Sequence, residues 1–260
     1  MNKSLVTHYI LTRFHTPVTN FQFGELEHPS LADDAWLRHR LTLFESFCLP
    51  SIQSQTRNDF QWILMFSPRS PGWLKEYLQS LPVAQAHALE VNDVMEDLPL
   101  WIMENTQSPL VLTTRLDNDD ALSRNFTQRL RSEPIIDAPV VINFRTGLRL
   151  TGSGLLRAKH SSNPFASLVE ESTGREIQTV LGVSHDDLPL HYPIIQAKSQ
   201  PAWLQTIHDK NIGNVAAGLP TRRARYSDDF PWLPEVQTWS IADYIRVVRP
   251  HAKLMQRLRS

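Results

Sequence analysis

Apolar and polar positions in the first half of the chain switch between two periods, and each switch marks a predicted element. Leu5–Leu11 is a short run rich in β-forming residues, followed by a polar, proline-marked loop through Pro29. Ser30-Leu31-Ala32-Asp33 has the serine-x-x-acid form of a helix start. Behind it Leu37, Leu41, Phe44 and Cys48 recur at spacings of 4, 3 and 4, so one helical face is apolar. Pro50 bends or restarts this helix, which then runs to about Gln55. Gln61–Phe66 follows as a second strand, residues 73–81 as a short helix and Ala86–Val91 as a third strand. Asp93–Thr106 reads as a helix despite Pro99, and Leu110–Thr114 as a fourth strand.

Strands separated by helices of this length are most simply built as a mostly parallel sheet with right-handed crossovers. The later chain is patterned differently. Leu122–Leu130 is predicted as a helix, Pro139–Phe144 and Gly147–Leu150 as two strands joined by a turn, and Asn163–Gly174 as a helix or loop. Thr179–Val183 is strand-like, Ala202–His208 is a late strand, and Arg222-Arg223-Ala224-Arg225 is a basic cluster in a loop. Ile241–Ser260 reads as a basic helix. With no repeat and no linker, the expectation is one α/β domain over 1–260, its sheet flanked by helices and its C-terminal part mixed.

Composition narrows the function classes. Twenty-six Lys+Arg against twenty-seven Asp+Glu give a net charge of -1, so no global basic field exists to attract nucleic acid. Nine glycines against eighteen prolines leave few places where backbone alone can wrap a phosphate. The single cysteine, Cys48, excludes an intramolecular disulfide and a multi-cysteine zinc site, and lies on the apolar helix face as an inert core residue. No apolar stretch is long enough for a secretory signal or a membrane span, and the expected compartment is the cytoplasm.

The most informative residues are Leu110-Val-Leu-Thr-Thr-Arg-Leu-Asp117-Asn118-Asp119-Asp120. An apolar strand runs straight into three carboxylates and a carboxamide, and ligands of open parallel sheets collect beyond strand carboxyl ends. Asp117 and Asp119, two apart in an extended turn, can aim at one point. Converging carboxylates repel unless a cation lies between them, and oxygen ligands favour Mg²⁺ or Mn²⁺. Helix capping by Asp120 or Ser123 is the plainer alternative; it explains one acid, not three. An EF-hand loop fails, because position 6 is Leu122 and position 12 is Gln128. A phosphatase-type Asp-x-Asp nucleophile normally follows the first strand, not the fourth.

Thr113–Leu122, TTRLDNDDAL, resembles the Asp-x-Asp segment of GT-A-fold glycosyltransferases, and Leu49–Leu64 resembles their helix-to-second-strand passage. The layout is most similar to the bacterial family of putative rhamnosyltransferases. Tyr9-Ile10-Leu11-Thr12-Arg13-Phe14, Phe47-Cys48-Leu49-Pro50-Ser51, the RLDNDD core and the late Trp203-Leu-Gln-x-x-His208-x-x-Asn211 carry that resemblance, over about residues 5–215. It implies a GT-A-like domain with a nucleotide-sugar-binding half (1–120), an acceptor-binding half (121–240) and the basic C-terminal helix (241–260). It further implies a nucleotide-sugar donor in the cleft between the first and fourth strands. Asp117 and Asp119 would bind the Mn²⁺ or Mg²⁺ bridging the diphosphate, and His208 would add a nitrogen ligand, against its commoner fate as a backbone-bonded histidine. Thr12 and Arg13, at the end of the first strand, would lie near the donor together with Arg115. The related transferases place an Asp after the second strand to hold the nucleoside; Phe66-Ser67-Pro68 stands here instead, and Asp93 is the substitute. Rhamnose from a deoxythymidine-diphosphate donor is what the family suggests.

An inverting transferase needs a carboxylate to take the acceptor hydroxyl's proton. His185-Asp186-Asp187 and Glu170-Glu171 lie between the acidic cluster and His208, and Asp186 or Asp187 is preferred because Thr179–Val183 would deliver a strand-end loop to the cleft. A retaining enzyme needs no such base. Lys210 and the arginine cluster could close on the diphosphate. Trp36, Trp62 and Trp73 sit at core spacing; Trp203, Trp232 or Trp239 could floor an acceptor site. Thr151-Gly-Ser-Gly154 is a turn. The acceptor would be a hydroxyl of a glycan or lipid-linked molecule, met at the inner membrane face if the basic C-terminal helix touches anionic lipid. Two rival functions use the same residues: a metal-dependent nucleotidyltransferase or phosphotransferase, and a non-catalytic sugar- or nucleotide-binding module.

Overall fold

A computed structural model describes residues 5–16, 33–135, 137–174, 176–198, 200–208 and 217–236. Lys210, Asn211, Trp239 and the predicted basic helix at 241–260 lie outside the described residues, as does Ser30 of the predicted helix start.

The first four strands form where alternation and apolar runs predict them: β1 (Val6–His15), β2 (Gln61–Phe66), β3 (Ala86–Glu90) and β4 (Leu110–Arg115). Between them lie α1 (Asp34–Leu43), α2 (Leu49–Gln53), α3 (Gly72–Gln79) and α4 (Val94–Asn105). Asp33 caps α1 by accepting from Ala35 N, so the acid of the serine-x-x-acid signal is itself the cap. A π-helical turn, Phe44–Cys48, joins α1 to α2, with Leu49 N bonded to Phe44 O. Pro50 offers no N–H to the turn behind it, and the wider turn carries the helix across that gap instead of breaking it.

Later in the chain come β5 (Ala121–Leu122), α5 (Phe126–Leu130), β6 (Val140–Phe144), β7 (Thr146–Thr151), β8 (Gly154–Lys159) and β9 (Ser167–Glu171). They are followed by α6 (Leu188–His191), β10 (Ile194–Ala197), β11 (Trp203–Thr206) and β12 (Leu219–Thr221). The main sheet has seven strands in the order β10-β6-β9-β4-β1-β2-β3, and a smaller sheet has five, β12-β8-β7-β11-β5. In the main sheet β4, β1, β2 and β3 are parallel, as are β10 and β6. Only β9 runs antiparallel, wedged between β4 and β6. The expected mostly parallel α/β sheet is therefore observed, with the mixed part in the second half.

Four expectations fail in that half. Leu122 closes a two-residue strand against Trp203 and Leu204, and the helix starts only at Phe126. Strands β6 and β7 form no hairpin: one residue, Arg145, carries the chain from the large sheet to the small one. Asn163–Gly174 holds the strand β9, whose Leu168 and Val169 are wholly buried. Thr179–Val183 is a turn, with Thr179 at φ 61. Thr151–Gly154 is the predicted turn, between β7 and β8.

One core cluster runs from Ile10 of β1 through Trp62 and Leu122 to Trp203 of β11, so both sheets rest on shared packing. Trp203 is a core residue and not an acceptor floor: it is 1% exposed, stacks on Phe165 and donates from Nε1 to Phe144 O. Gly147 makes room for it, since a Cβ there would stand 2.0 Å from the indole. Cys48 is fully buried, and burial pushes its thiol well above the usual pKa.

Candidate active site at the carboxyl edge of the sheet

In the order β3-β2-β1-β4 the chain reverses direction of growth between β1 and β4, which makes the crevice beyond their carboxyl ends the natural ligand site. Val6 to Leu11 pair with Leu110 to Arg115 in parallel register, so Arg13 and Phe14 emerge beside Asp117 and Asn118. Asn118 Nδ2 donates to Phe14 O at 3.1 Å, fastening the acidic turn across this switch point.

Each acid of the turn has a different partner. Arg115 holds both oxygens of Asp117, Nε at 3.1 Å and a terminal nitrogen at 2.7 Å. Burial alone raises the Asp117 pKa; Arg115, then Arg13 and Arg40, outweigh it and hold the carboxylate well below its ordinary value. Asp119 Oδ2 receives Arg40 at 2.5 Å and lies 3.0 Å from His208 Nε2. Asp120 Oδ1 accepts from Thr206 N, and Thr206 Oγ1 donates to Asp119 O, so the turn is stitched to β11. Burial, then Asp119 and Asp117, push Asp120 well above the usual carboxylate range. Neither Asp120 nor Ser123 caps α5; its N-cap is Asn125, to which Ser123 Oγ donates.

Asp119 and His208 lie together, their Oδ2 and Nε2 hydrogen-bonded at 3.0 Å. Their two ligand atoms have the spacing, about 3 Å, of adjacent ligands at about 2.1 Å from one octahedral ion. A carboxylate and an imidazole fit a Mn²⁺-like ion better than Mg²⁺, which prefers oxygen alone. Asp117 does not converge with them: its oxygens belong to Arg115 here, and it would reach the same ion by exchanging that partner.

Other predicted residues are placed less simply. Thr12 is not at a strand end, because β1 continues to His15; it is wholly buried and accepts from Trp62 Nε1. Arg13 does reach the site: burial and then Arg115 lower its pKa to about 10, against the pull of Asp117. Asp93 caps α4, accepting from Met95 N, and lies beyond β3, two strand spacings or roughly 10 Å from β1. Beyond β2, His15 Nδ1 pairs with Ser70 Oγ at 2.7 Å. Glu170 and Glu171 pair with Val111 and Leu110, at the amino end of β4 and therefore at the far edge of the sheet. Glu170 spends both oxygens on Gln178 N and Thr179 N. In the arginine cluster, Arg223 is bonded to Leu233 O and Glu235.

Asp186 and Asp187 are exposed. Their neighbour His185 senses the acidic turn: burial, then Arg115, lower its pKa to about 4, with Asp186 and Asp117 opposing. Two residues at this edge escaped the sequence reading, Arg40 and His160. Arg40, three after Leu37 and one before Leu41, borders the apolar stripe of α1, and that position was the available signal. For His160 no comparable signal existed.

Residues 8–218 match the profile of the family described as "Putative rhamnosyl transferase". A comparison with curated proteins found no match. Among solved structures, S. aureus TarS 1–349 in complex with UDP is similar at 8% identity and a TM-score of 0.47, over 77% of this chain and 60% of that one. Rv0371C of Mycobacterium tuberculosis H37Rv in complex with manganese is similar at 9% identity and a TM-score of 0.37, over 80% and 95%. The inositol-1-phosphate CTP transferase of T. maritima is similar at 12% identity and a TM-score of 0.37, over 76% and 89%. The chain thus spans about 60% of the TarS fragment. These are distant likenesses, and the assignment rests on the family match.

Proposed function

The chain belongs to the "Putative rhamnosyl transferase" family, and from that premise we propose that it moves a sugar from a nucleoside-diphosphate donor to a hydroxyl of a glycan or lipid-linked acceptor. The observation that carries this reading is the Asp119–His208 pair at the β1/β4 switch point, ringed by Arg13, Arg40 and Arg115. Few glycines are available to cradle a phosphate, so cationic groups must neutralise the diphosphate. Asp119 and His208 would hold the divalent ion, with Asp117 joining when donor phosphates take over Arg115. When bound, that ion supplies Lewis-acid stabilisation of charge on the departing diphosphate.

The chain's own groups do the rest. Arg13 and Arg115 flank the diphosphate as fixed cations, needing no reorganisation as the C1–O–phosphate bond breaks and its electron pair leaves with the diphosphate. The acceptor oxygen bonds to C1 as its proton passes to Asp186 or Asp187. Rhamnose is the donor sugar that the family name indicates. Among the described residues no helix is long and apolar enough to cross a membrane.

Thermal shift with nucleoside diphosphates and triphosphates, with and without Mn²⁺, tests this reading on the wild type and on Asp119→Ala and Asp119→Asn. The expected result is metal-dependent stabilisation by a diphosphate that both variants lose. Preference for a triphosphate would favour the nucleotidyltransferase reading; no nucleotide response would sink both.

A further inference from the structure

The same sheet edge carries a second group of ligand atoms. One ring nitrogen of His160, one of His185 and one carboxylate oxygen of Asp186 all lie within 4.8 Å of one another. Among the described residues this is the one set of His, Cys, Asp or Glu side chains that brings three ligand atoms so close. His185 Nε2 stands 3.7 Å from Asp186 Oδ1, too far for a hydrogen bond, and the imidazole rings are 5.8 Å apart and tilted by 52°.

The two histidines come from segments that part-buried hydrogen bonds hold in place. Asn143, fully buried on β6, donates from Nδ2 to the carbonyls of His160 and Ser161 at 3.2 and 3.1 Å. Ser162 Oγ donates to His185 O, which ties the turn after β8 to the loop before α6. His160 Nδ1 accepts from Ser162 N at 3.3 Å. Rigid backbone under both rings is the kind of support that holds ligands in place before an ion arrives.

We propose that His160, His185 and Asp186 form a second metal site, for a divalent ion that accepts imidazole readily, such as Zn²⁺ or Co²⁺. The donor set, two nitrogens and one oxygen, differs from the oxygen-rich turn at Asp117–Asp120 and suits a different ion. Three protein ligands leave a fourth position for water or a hydroxyl, the arrangement of reactive rather than purely structural sites. The site stands on its own geometry, whatever the transferred group. Only one corollary rests on the sugar-transfer reading: with Asp186 on the ion, the acceptor's proton passes to Asp187.

The test uses the full chain, without a histidine tag, stripped with a chelator and carrying Asp119→Asn to remove the other centre. Titrated with Co²⁺, this protein should develop visible d–d absorption saturating at one ion. Adding His160→Gln or His185→Gln should abolish that band, with circular dichroism confirming the fold. Asp186→Asn, at an exposed position that tolerates change, should weaken Co²⁺ binding more than about tenfold and carries the test if a histidine variant fails to fold. Absence of a Co²⁺ band in the Asp119→Asn protein, or an unchanged band in the three added variants, would overturn the proposal. Nucleotide binding is not read in this experiment, so its outcome is separate from that of the donor site.

Discussion

The acidic turn after β4 and the histidine pair beyond β8 share one edge of the sheet and solve opposite problems of charge. In the turn, carboxylates are matched by guanidinium groups: Asp117 with Arg115, Asp119 with Arg40, and Arg13 close by. Such a site can hold a dianionic diphosphate together with a cation, because arginines released by the carboxylates become phosphate partners. In the histidine group, one exposed carboxylate accompanies two imidazoles. It has little charge to offer a phosphate and two nitrogens to offer a metal. Closeness to a sheet edge therefore says where ligands gather, and the donor chemistry says which ligand each corner takes.

The largest expected effect falls on the turn. Asp119→Ala leaves Arg40, 13% exposed, without its carboxylate, and should cost about 3 kcal/mol of stability in urea unfolding, alongside loss of sugar transfer. Asp119→Asn should lose transfer as fully and retain more of the stability. Equal stability of wild type and Asp119→Ala would show that Arg40 and Asp119 are not coupled.

Acid stability has a contribution that lies outside both clusters. His8 is buried against Thr114, and desolvation, then Arg131, lower its pKa to about 3. A folded pKa below the unfolded value near 6.5 means the contribution is complete above pH 6.5 and is lost as pH falls from there toward 3. Unfolding free energy measured between pH 7 and 4 should decline in wild type and in His160→Gln alike. His8→Leu should flatten that decline.

Arg115→Gln should weaken diphosphate binding by about tenfold in calorimetry, the loss of one charge-assisted bidentate contact. The smallest effect is expected from His160→Gln, which should leave diphosphate affinity within about twofold of wild type. A larger loss there would merge the two clusters into one site.

What the sequence made legible follows the same divide between local and long-range information. Strands β1 to β4 and their helices announce themselves because each is long enough to show its own period, and Asp93 and Asp33 sit where caps belong. His208 is expected beside the acidic turn from the resemblance that Trp203-Leu-Gln-x-x-His208 carries, and the two side chains do meet at this edge. Strand β9 was not legible. Only Leu168 and Val169 bury an apolar surface there, and the two acids after them look like a helix or a loop until β4 and β6 enclose the strand. Likewise Arg145 carries no turn signal, because passing from one sheet to another demands no reversal. Arg40 and His160 reach their two clusters through tertiary packing alone, Arg40 standing 79 residues from Asp119. For Asp186 the sequence offers its neighbour His185 and a strand-like Thr179–Val183. The neighbour is there; the strand is a turn held by Glu170 and Thr113.

The central claim is that Asp119 organises a metal-assisted centre for cleaving a nucleotide sugar. The direct measurement is release of nucleoside diphosphate from a panel of nucleotide sugars, deoxythymidine-diphosphate rhamnose included, with Mn²⁺ and with water as the default acceptor. Wild type should release diphosphate from one donor, chelator should stop it, and Asp119→Asn should fall to background. Release that persists in Asp119→Asn, or no release from any donor in the presence of Mn²⁺, would contradict the account.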